Sequence, residues 1–584
     1  MYFQSRDERY RSPFGAVPEG TAIYLRVRLP RAWQCSGCRL VTALDGGLDR
    51  RADMFWAGMD GDDQEWWDCH YTPAVPGLYW YGFEMTLADG AAYLVRRPDG
   101  SADMVRTPGG ARWQLTCYEA GFSTPDWLAG GVMYQIFPDR FARSEEPKAG
   151  VPTDRVLRGD WGGQPEWRPD ATGTIRNNDY FGGDLKGIEQ RLDRLAELGV
   201  TCLYLNPIFE AHSNHRYDTA DYTAVDPLLG TAEDFEALTK TAARLGIRVL
   251  LDGVFSHTGA DSRYFNRLGN YDTVGACQSQ DSPYYKWYRF RHWPDDYECW
   301  WGVTDLPNVE ELEPSYSQFI YGEGDSVIRH WLRKGIGGWR LDVADELPDE
   351  FIKGIRAAME EEAPDSVLLG EVWEDASNKI AYSKRRKYLL GDELHGVMNY
   401  PFRTALLAYL QGGDADGFRE AMETLRENYP PAAFSSLMNF LGTHDTPRIL
   451  TVLGADRIPE SKEERAIYRL SPAQRQRGLE LVRLAALVLF TFPGSPTVYY
   501  GDEIGLEGWE DPFNRGTYSW ESGDRELLVS MITYALLASL TLTSLFSMLT
   551  TRCTADMLYM ERAEAVMPSF YGSLTVMLVI GVVG

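Results

Sequence analysis

Basic residues are scarce in this chain. It has 58 Lys and Arg against 85 Asp and Glu, a formal charge of -27 at pH 7 with a pI near 4.8. Such a surface repels phosphate backbones and anionic lipid, which excludes nucleic acid as a partner and favours neutral ligands. Cysteine is thin as well, eight in 584 residues, and the only close pair is Cys35-Ser-Gly-Cys38. A lone C-x-x-C with no second pair does not make a zinc or redox site, so ordinary reduced thiols are expected. No basic segment followed by an apolar stretch stands near the start, so a cytoplasmic enzyme is expected. The opening MYFQS resembles what remains of a cleaved affinity tag and is set outside the fold reading. The longest uncharged run takes in residues 531–551, 21 residues without a charge. That length meets the rule for a membrane span, but its many Thr and Ser and the lack of a flanking basic cluster favour a helix packed on the protein.

Hydrophobic residues are plentiful at 44%, and 584 residues exceed one ordinary domain, so two or three are expected. Aromatics reach 13%, a composition suited to stacking on sugar rings, although most are expected in cores. From about residue 10 to 122, short β-type runs (AIYLRVRLP, YWYGFEMTL, AAYLVRR, ARWQLTCYE) alternate with turn dipeptides, which predicts an antiparallel sandwich. The pair Trp66 and Trp67 is read there as buried packing rather than a sugar platform. Next, GGVMYQIF reads as a strand, GIEQRLDRLAELG as an amphipathic helix, TCLYLNPIF as a strand, AEDFEALTKTAARLG as a helix and RVLLDGVF as a strand. This βαβα order predicts a parallel sheet covered by helices. Residues 258–317 break the pattern with an aromatic, Gly- and Pro-rich insertion, and such an insertion is usually functional.

The most informative stretch is GIGGWRLDVADE, with Arg340 and Asp342 two residues apart. On a strand they share a face, and a guanidinium beside a carboxylate keeps it ionised. An isolated R-x-D is more often a structural ion pair. Three further apolar runs end in polar residues, however: RVLLDGVFSH with Asp252 and His257, SVLLGEVW with Glu371 and Trp373, and SLMNFLGTHDTPR with His444 and Asp445. Carboxylates at several strand ends are the sequence form of a (β/α)8 active site.

These ordered segments resemble the α-amylase family of glycoside hydrolases (family 13), nearest its neopullulanase, cyclomaltodextrinase and maltogenic amylase branch. VMYQIFPDRFA, NNDYFGGDLKGI, HRYDTADY, VMNYPFR and EDPFNR support the same resemblance, which spans about residues 126 to 522. It implies an α/β architecture: an N-terminal β-sandwich at 6–124, starch-binding-like, and a (β/α)8 TIM barrel at 125–525 with the insertion 258–317 after its third strand. A last helix and a short C-terminal β region follow at 526–584. It implies retaining hydrolysis of α-1,4, and also α-1,6, glucosidic bonds in maltooligosaccharides, cyclodextrins, pullulan or starch. By position in the motifs, Asp342 is the nucleophile, Glu371 the general acid and base, and Asp445 the transition-state stabiliser. Tyr217, Asp252, His257, Arg340, Trp373, His444, Asp511 and Arg515 fall at substrate-binding positions, with Arg340 orienting the nucleophile and Asp252 architectural. Trp373 is expected to cover Glu371 and raise its pKa.

No cofactor is required by this chemistry. Calcium in this branch joins an Asn-x-Asp segment to a Gly-x-Asp; here Gly182 and Asp184 remain, but Arg143-Ser144-Glu145 replaces the first segment. A cation at the Asn position opposes calcium, and Ser256 stands where a second amide ligand is expected. LPNVE departs from the usual LPKLN, which leaves linkage preference open. The expected partners are an α-glucan or maltooligosaccharide and a second copy bound through the N-terminal domain, with no nucleic acid and no membrane. A transglycosylase, an α-glucosidase and a non-catalytic glycan-binding relative remain as alternatives. Added acceptor sugar separates the first two from a hydrolase, and the intact set Asp342, Glu371 and Asp445 argues against the third.

Overall fold

The computed structural model describes residues 1–520 except 149 and 172. The expected last helix, the C-terminal β region and the uncharged run at 531–551 lie outside the described residues. The described chain packs as two compact units, one formed by Met1–Asp126 with Val343–Leu437, the other by Trp127–Asp342 with the described residues from Met438 to Trp520.

In the first unit, the N-terminal segment forms an antiparallel sheet with strand neighbours Ile23–Pro30, Gln64–Tyr71, Arg50–Asp60, Gly37–Leu44, Gly77–Leu87 and Trp113–Tyr118. Arg50–Asp60 is shared: residues up to Met54 pair with Gly37–Leu44, and those from Phe55 pair with Gln64–Tyr71. Strict alternation along Ile23–Pro30 sends Ile23, Leu25, Val27 and Leu29 into one core with Leu40, Phe83 and Trp113. Trp67 is buried in that core and Trp66 packs against it under the Arg26 guanidinium, so the pair serves packing as expected. All seven described cysteines are free, and Cys35 and Cys38 are buried.

MYFQS, set outside the fold reading, is packed into the fold. Phe3 is fully buried, with its ring 4.8 Å from Phe83 and 4.9 Å from Trp113. Gln4 bridges to Ser101, and the Ser5 N–H donates to the Gly100 carbonyl at 3.2 Å. An aromatic side chain this buried leaves a cavity when truncated, so Phe3→Ala should lower unfolding free energy by about 3 kcal/mol in urea titration; a change below about 0.5 kcal/mol would show that these residues are dispensable.

The second segment of this unit carries the parallel strands Val367–Gly370 and Gly396–Val397 and the helices Asp349–Glu362, Tyr400–Gly412 and Ala415–Asn428. It is tied to the N-terminal sheet by polar contacts. Arg6 pairs with Glu420 at 2.6 Å and Glu427 at 3.1 Å, Arg385 with Asp45 at 3.0 Å, and Gln114 with Ser377 at 2.8 Å.

The second unit holds six parallel strands in the order Gly338–Leu341, Arg248–Gly253, Val200–Leu205, Val132–Ile136, Ser495–Tyr499, Met438–Phe440. With the two above they are the eight strands of a (β/α)8 barrel. Most are buried along their whole length, as parallel strands covered on both faces must be. The helix Ala232–Arg244 begins with a capping box between Thr231 and Asp234. The helix expected over GIEQRLDRLAELG is instead two short ones, Leu185–Glu189 and Leu192–Glu197. Between them Gln190 and Arg191 form a turn that keeps right-handed helical backbone angles, and the Arg191 guanidinium lies over the Trp520 ring. The insertion after Arg248–Gly253 holds a small hairpin, Phe290–His292 with Asp296–Tyr297, and the helix Pro314–Tyr321. Among the described residues no helix is long and apolar enough to cross a membrane.

Candidate active site

Arg340 and Asp342 do share a face at the end of Gly338–Leu341. The fully buried Arg340 donates from Nη1 to Asp342 Oδ1 at 2.7 Å and to Asp252 Oδ1 at 2.8 Å. Asp252 Oδ2 takes the hydroxyls of Tyr204 at 2.7 Å and Tyr217 at 2.8 Å. Burial raises the Asp252 carboxyl above the usual aspartate value, against the pull of Arg340 and the two tyrosines. Asp252 is therefore a hub that sets Arg340 and Tyr217 in place.

Tyr217 follows Arg216, which has a left-handed backbone (φ 63) and a buried ion pair to Asp226 at 3.2 Å. Its ring lies parallel to His444, 5.3 Å between centroids and 6° between planes. Gln135 Nε2 is 2.9 Å from His444 Nδ1, so the ring accepts there. The proton on Nε2 then faces the Tyr217 hydroxyl at 2.6 Å and Asp445 Oδ2 at 3.1 Å. Asp445 keeps 32% of its side chain exposed, while desolvation of the rest raises its carboxyl and Arg515 and Arg340 pull it back. Arg515 reaches Asp445 at 3.6 Å, Asp511 at 2.8 Å and the His444 carbonyl at 3.1 Å.

His257 is buried with both ring nitrogens engaged: Nε2 lies 3.0 Å from the Tyr217 carbonyl, and Nδ1 lies 3.0 Å from Ser256 Oγ. It thus braces the Tyr217 backbone. Burial depresses its pKa to about 4. Because the folded value lies below the unfolded 6.5, the stability gained from neutral His257 is complete above pH 6.5 and is lost as pH falls toward 4. The wild-type advantage in Tm over His257→Asn should shrink across that window; a constant difference from pH 7 to pH 4.5 would rule this out.

Glu371 stands just past the strand Val367–Gly370 in the other unit. Its Oε2 accepts the Val343 N–H at 2.9 Å; its Oε1 accepts Trp373 Nε1–H at 3.1 Å and faces the Tyr400 hydroxyl at 3.4 Å. Val343 has φ 36, an outlier for a β-branched residue, and this backbone turn aims its N–H at the carboxylate. Trp373 differs from expectation. It is 50% exposed, stacks on Tyr400 at 4.0 Å, and meets Glu371 with its indole N–H rather than covering it with a ring face.

The sequence profile of the alpha-amylase catalytic domain matches residues 135–533, two thirds of the chain. The chain belongs to the alpha-amylase family. Residues 515–584 also match the profile of a putative exopolysaccharide exporter. Within the alpha-amylase family, an amylopullulanase of Thermoanaerobacterium saccharolyticum is 35% identical over 570 residues, 90% of this chain and 43% of the relative. A cyclomaltodextrinase of Geobacillus thermopakistaniensis is 36% identical over 412 residues, 68% of this chain and 60% of the relative. Among solved structures, a cyclic alpha-maltosyl-(1-->6)-maltose hydrolase from Arthrobacter globiformis superposes with a TM-score of 0.58 at 33% identity, covering 71% of this chain and 84% of that one. The chain spans less than half the length of the amylopullulanases it matches.

Of the residues singled out from the sequence, the second unit of this alpha-amylase family member brings together Tyr217, Asp252, His257, Arg340, Asp342, His444, Asp445, Asp511 and Arg515. The first unit joins Glu371 to Trp373. Gly182 and Asp184 lie apart from this network, and Ser256 is used by His257. Sequence reasoning passed over Gln135, Asn206 and Tyr204. All three sit inside motifs already quoted, VMYQIF and LYLNPIF, and polar residues within an otherwise apolar barrel strand were the available signal.

Proposed function

We propose that this chain hydrolyses α-1,4 glucosidic bonds of maltooligosaccharides, cyclodextrins, pullulan or starch, and α-1,6 bonds as well, with retention. Asp342 is the nucleophile, Glu371 the general acid and base, and Asp445 the group that stabilises the oxocarbenium-like centre through sugar hydroxyls. The observation that carries this reading is the buried Arg340 bonded to Asp342. A charge-assisted hydrogen bond from a fully enclosed guanidinium holds a carboxylate ionised and aimed, as attack on an anomeric carbon requires. Three donors directed at Glu371 fix the acid in one rotamer. His444 and Arg515 bracket Asp445 and leave part of it open to a ligand. Relatives named amylopullulanase and cyclomaltodextrinase support the substrate class.

The test is product analysis after incubation with cyclodextrin, pullulan and soluble starch, with Asp342→Ala as control. Opened cyclodextrin and panose from pullulan are expected, and proton NMR should show the α-anomer released first. A β-anomeric first product would overturn retention, and no product from any of the three would overturn the assignment. Longer products on adding acceptor sugar would identify transglycosylation as the main activity.

The N-terminal sheet is the proposed dimer surface, supported by the exposed Phe55, Trp56 and Met59 on one strand; a monomeric mass in light scattering would exclude it. The free thiols suit a reducing cytoplasm.

A further inference from the structure

Asp184 is buried at the head of the helix Leu185–Glu189, and hydrogen-bond donors surround its carboxylate. Oδ1 accepts the Gly187 N–H at 2.5 Å and the Ser144 N–H at 3.3 Å. Oδ2 accepts the Ser144 hydroxyl at 2.8 Å and the Lys148 ammonium, and the two side chains of that ion pair are 12% and 2% exposed. A carboxylate offers about four lone-pair positions, and these donors take them. The Ser144 oxygen in turn accepts the Glu146 N–H at 3.3 Å.

A calcium ion needs six to eight oxygens at about 2.3–2.6 Å. What meets Asp184 here is hydrogen. Glu145 is exposed. Among the described residues, no three His, Cys, Asp or Glu side chains converge as a metal would require. The residues present therefore do not fit a divalent cation. The cation expected to oppose calcium, Arg143, lies instead over the Trp161 ring; Lys148, four residues beyond Ser144, is the one at the carboxylate.

We infer that Lys148 is a tethered counter-ion, which takes at Asp184 the place of a metal and fastens the loop after Phe141 without calcium. A buried carboxylate stripped of its cation is strongly unfavourable, so some positive charge has to be supplied. A bound metal stabilises in proportion to the logarithm of its free concentration, whereas a side chain is present at every concentration. The same loop is held a second time where Val156–Leu157 pairs with Asp179–Tyr180, so the Lys148 contact closes a defined circuit onto the barrel unit.

Thermal unfolding of the full chain in 5 mM EDTA, which removes free calcium, and in 5 mM calcium chloride, about 10³-fold above a micromolar affinity, tests this, alongside Lys148→Met, Lys148→Arg and Asp184→Asn. The expected result is a wild-type Tm that responds to calcium no more than that of Asp184→Asn does. Lys148→Met should unfold at least about 4 °C lower in both buffers, and Lys148→Arg should recover most of the loss. A calcium-dependent rise in wild-type Tm that Asp184→Asn abolishes would overturn the inference, as would an unchanged Tm for Lys148→Met. If Lys148→Met does not accumulate as folded protein, the wild-type comparison with Lys148→Arg and Asp184→Asn still decides.

Discussion

Asp342→Asn should reduce kcat on cyclodextrin by at least about 10⁴-fold while leaving maltooligosaccharide binding within a few fold, because under the proposed mechanism it deletes the covalent step and little ground-state contact. The amide is isosteric and can still accept from Arg340, so the bond seen at 2.7 Å need not break. Glu371→Gln is expected to behave differently. General acid catalysis contributes about 10²–10⁴-fold, and that loss should fall mainly on substrates with a poor leaving group. A glucosyl donor with a good leaving group, which needs no proton, should be turned over far better by Glu371→Gln than by Asp342→Asn. Equal losses on both donors would remove the distinction between the two carboxylates, and near-normal turnover by Asp342→Asn would end the proposed mechanism.

Arg340→Met carries the second large effect, and it reaches stability as well as rate. The substitution keeps an unbranched side chain but leaves Asp252 and Asp342 facing each other with no guanidinium between them. Breaking a buried pair by removing one partner costs about 3–5 kcal/mol, since the remaining charge stays in a poor solvent. Urea unfolding should register that loss. Because the carboxylates are then easier to leave protonated, part of the deficit should recover as pH falls from 7 to 5. A loss below about 1 kcal/mol, or one independent of pH, would show that Arg340 neutralises neither group. The double variant Arg340→Met with Asp252→Asn should be more stable than the single one, which distinguishes lost charge compensation from lost packing.

The site was legible where polar residues end apolar strands. Arg340, Asp342, Asp252, His444 and Asp445 follow runs whose periodicity is unambiguous, and a barrel places such ends together. His257 was legible as a member of the cluster, but its contacts with the Tyr217 carbonyl and Ser256 were not; backbone contacts across 40 residues leave no mark on a motif. Three strands of the N-terminal sheet, Gly37–Leu44, Arg50–Asp60 and Gln64–Tyr71, went unread. In Arg50–Asp60 the reason is physical: eight of its eleven residues are exposed, so the alternation that marks a half-buried strand is missing. Phe3 was set aside because a short terminal stretch has no periodicity to weigh against its resemblance to a tag. Lys148 was invisible for another reason: an ion pair 36 residues apart depends on the path of a loop.

The first unit joins the N-terminal sheet to the segment that carries Glu371, although some 216 residues of chain separate Asp126 from Val343. For exchange of parts between relatives, the boundary near residue 125 is therefore the wrong place to cut. A chimera joined there would import a sheet whose Asp45, Gln114 and Arg6 meet strangers at 385, 377 and 420, in the stretch where Glu371 is held. Functional hybrids should instead be those that transplant 1–126 and 343–437 as one block, a unit the linear order of the chain does not display.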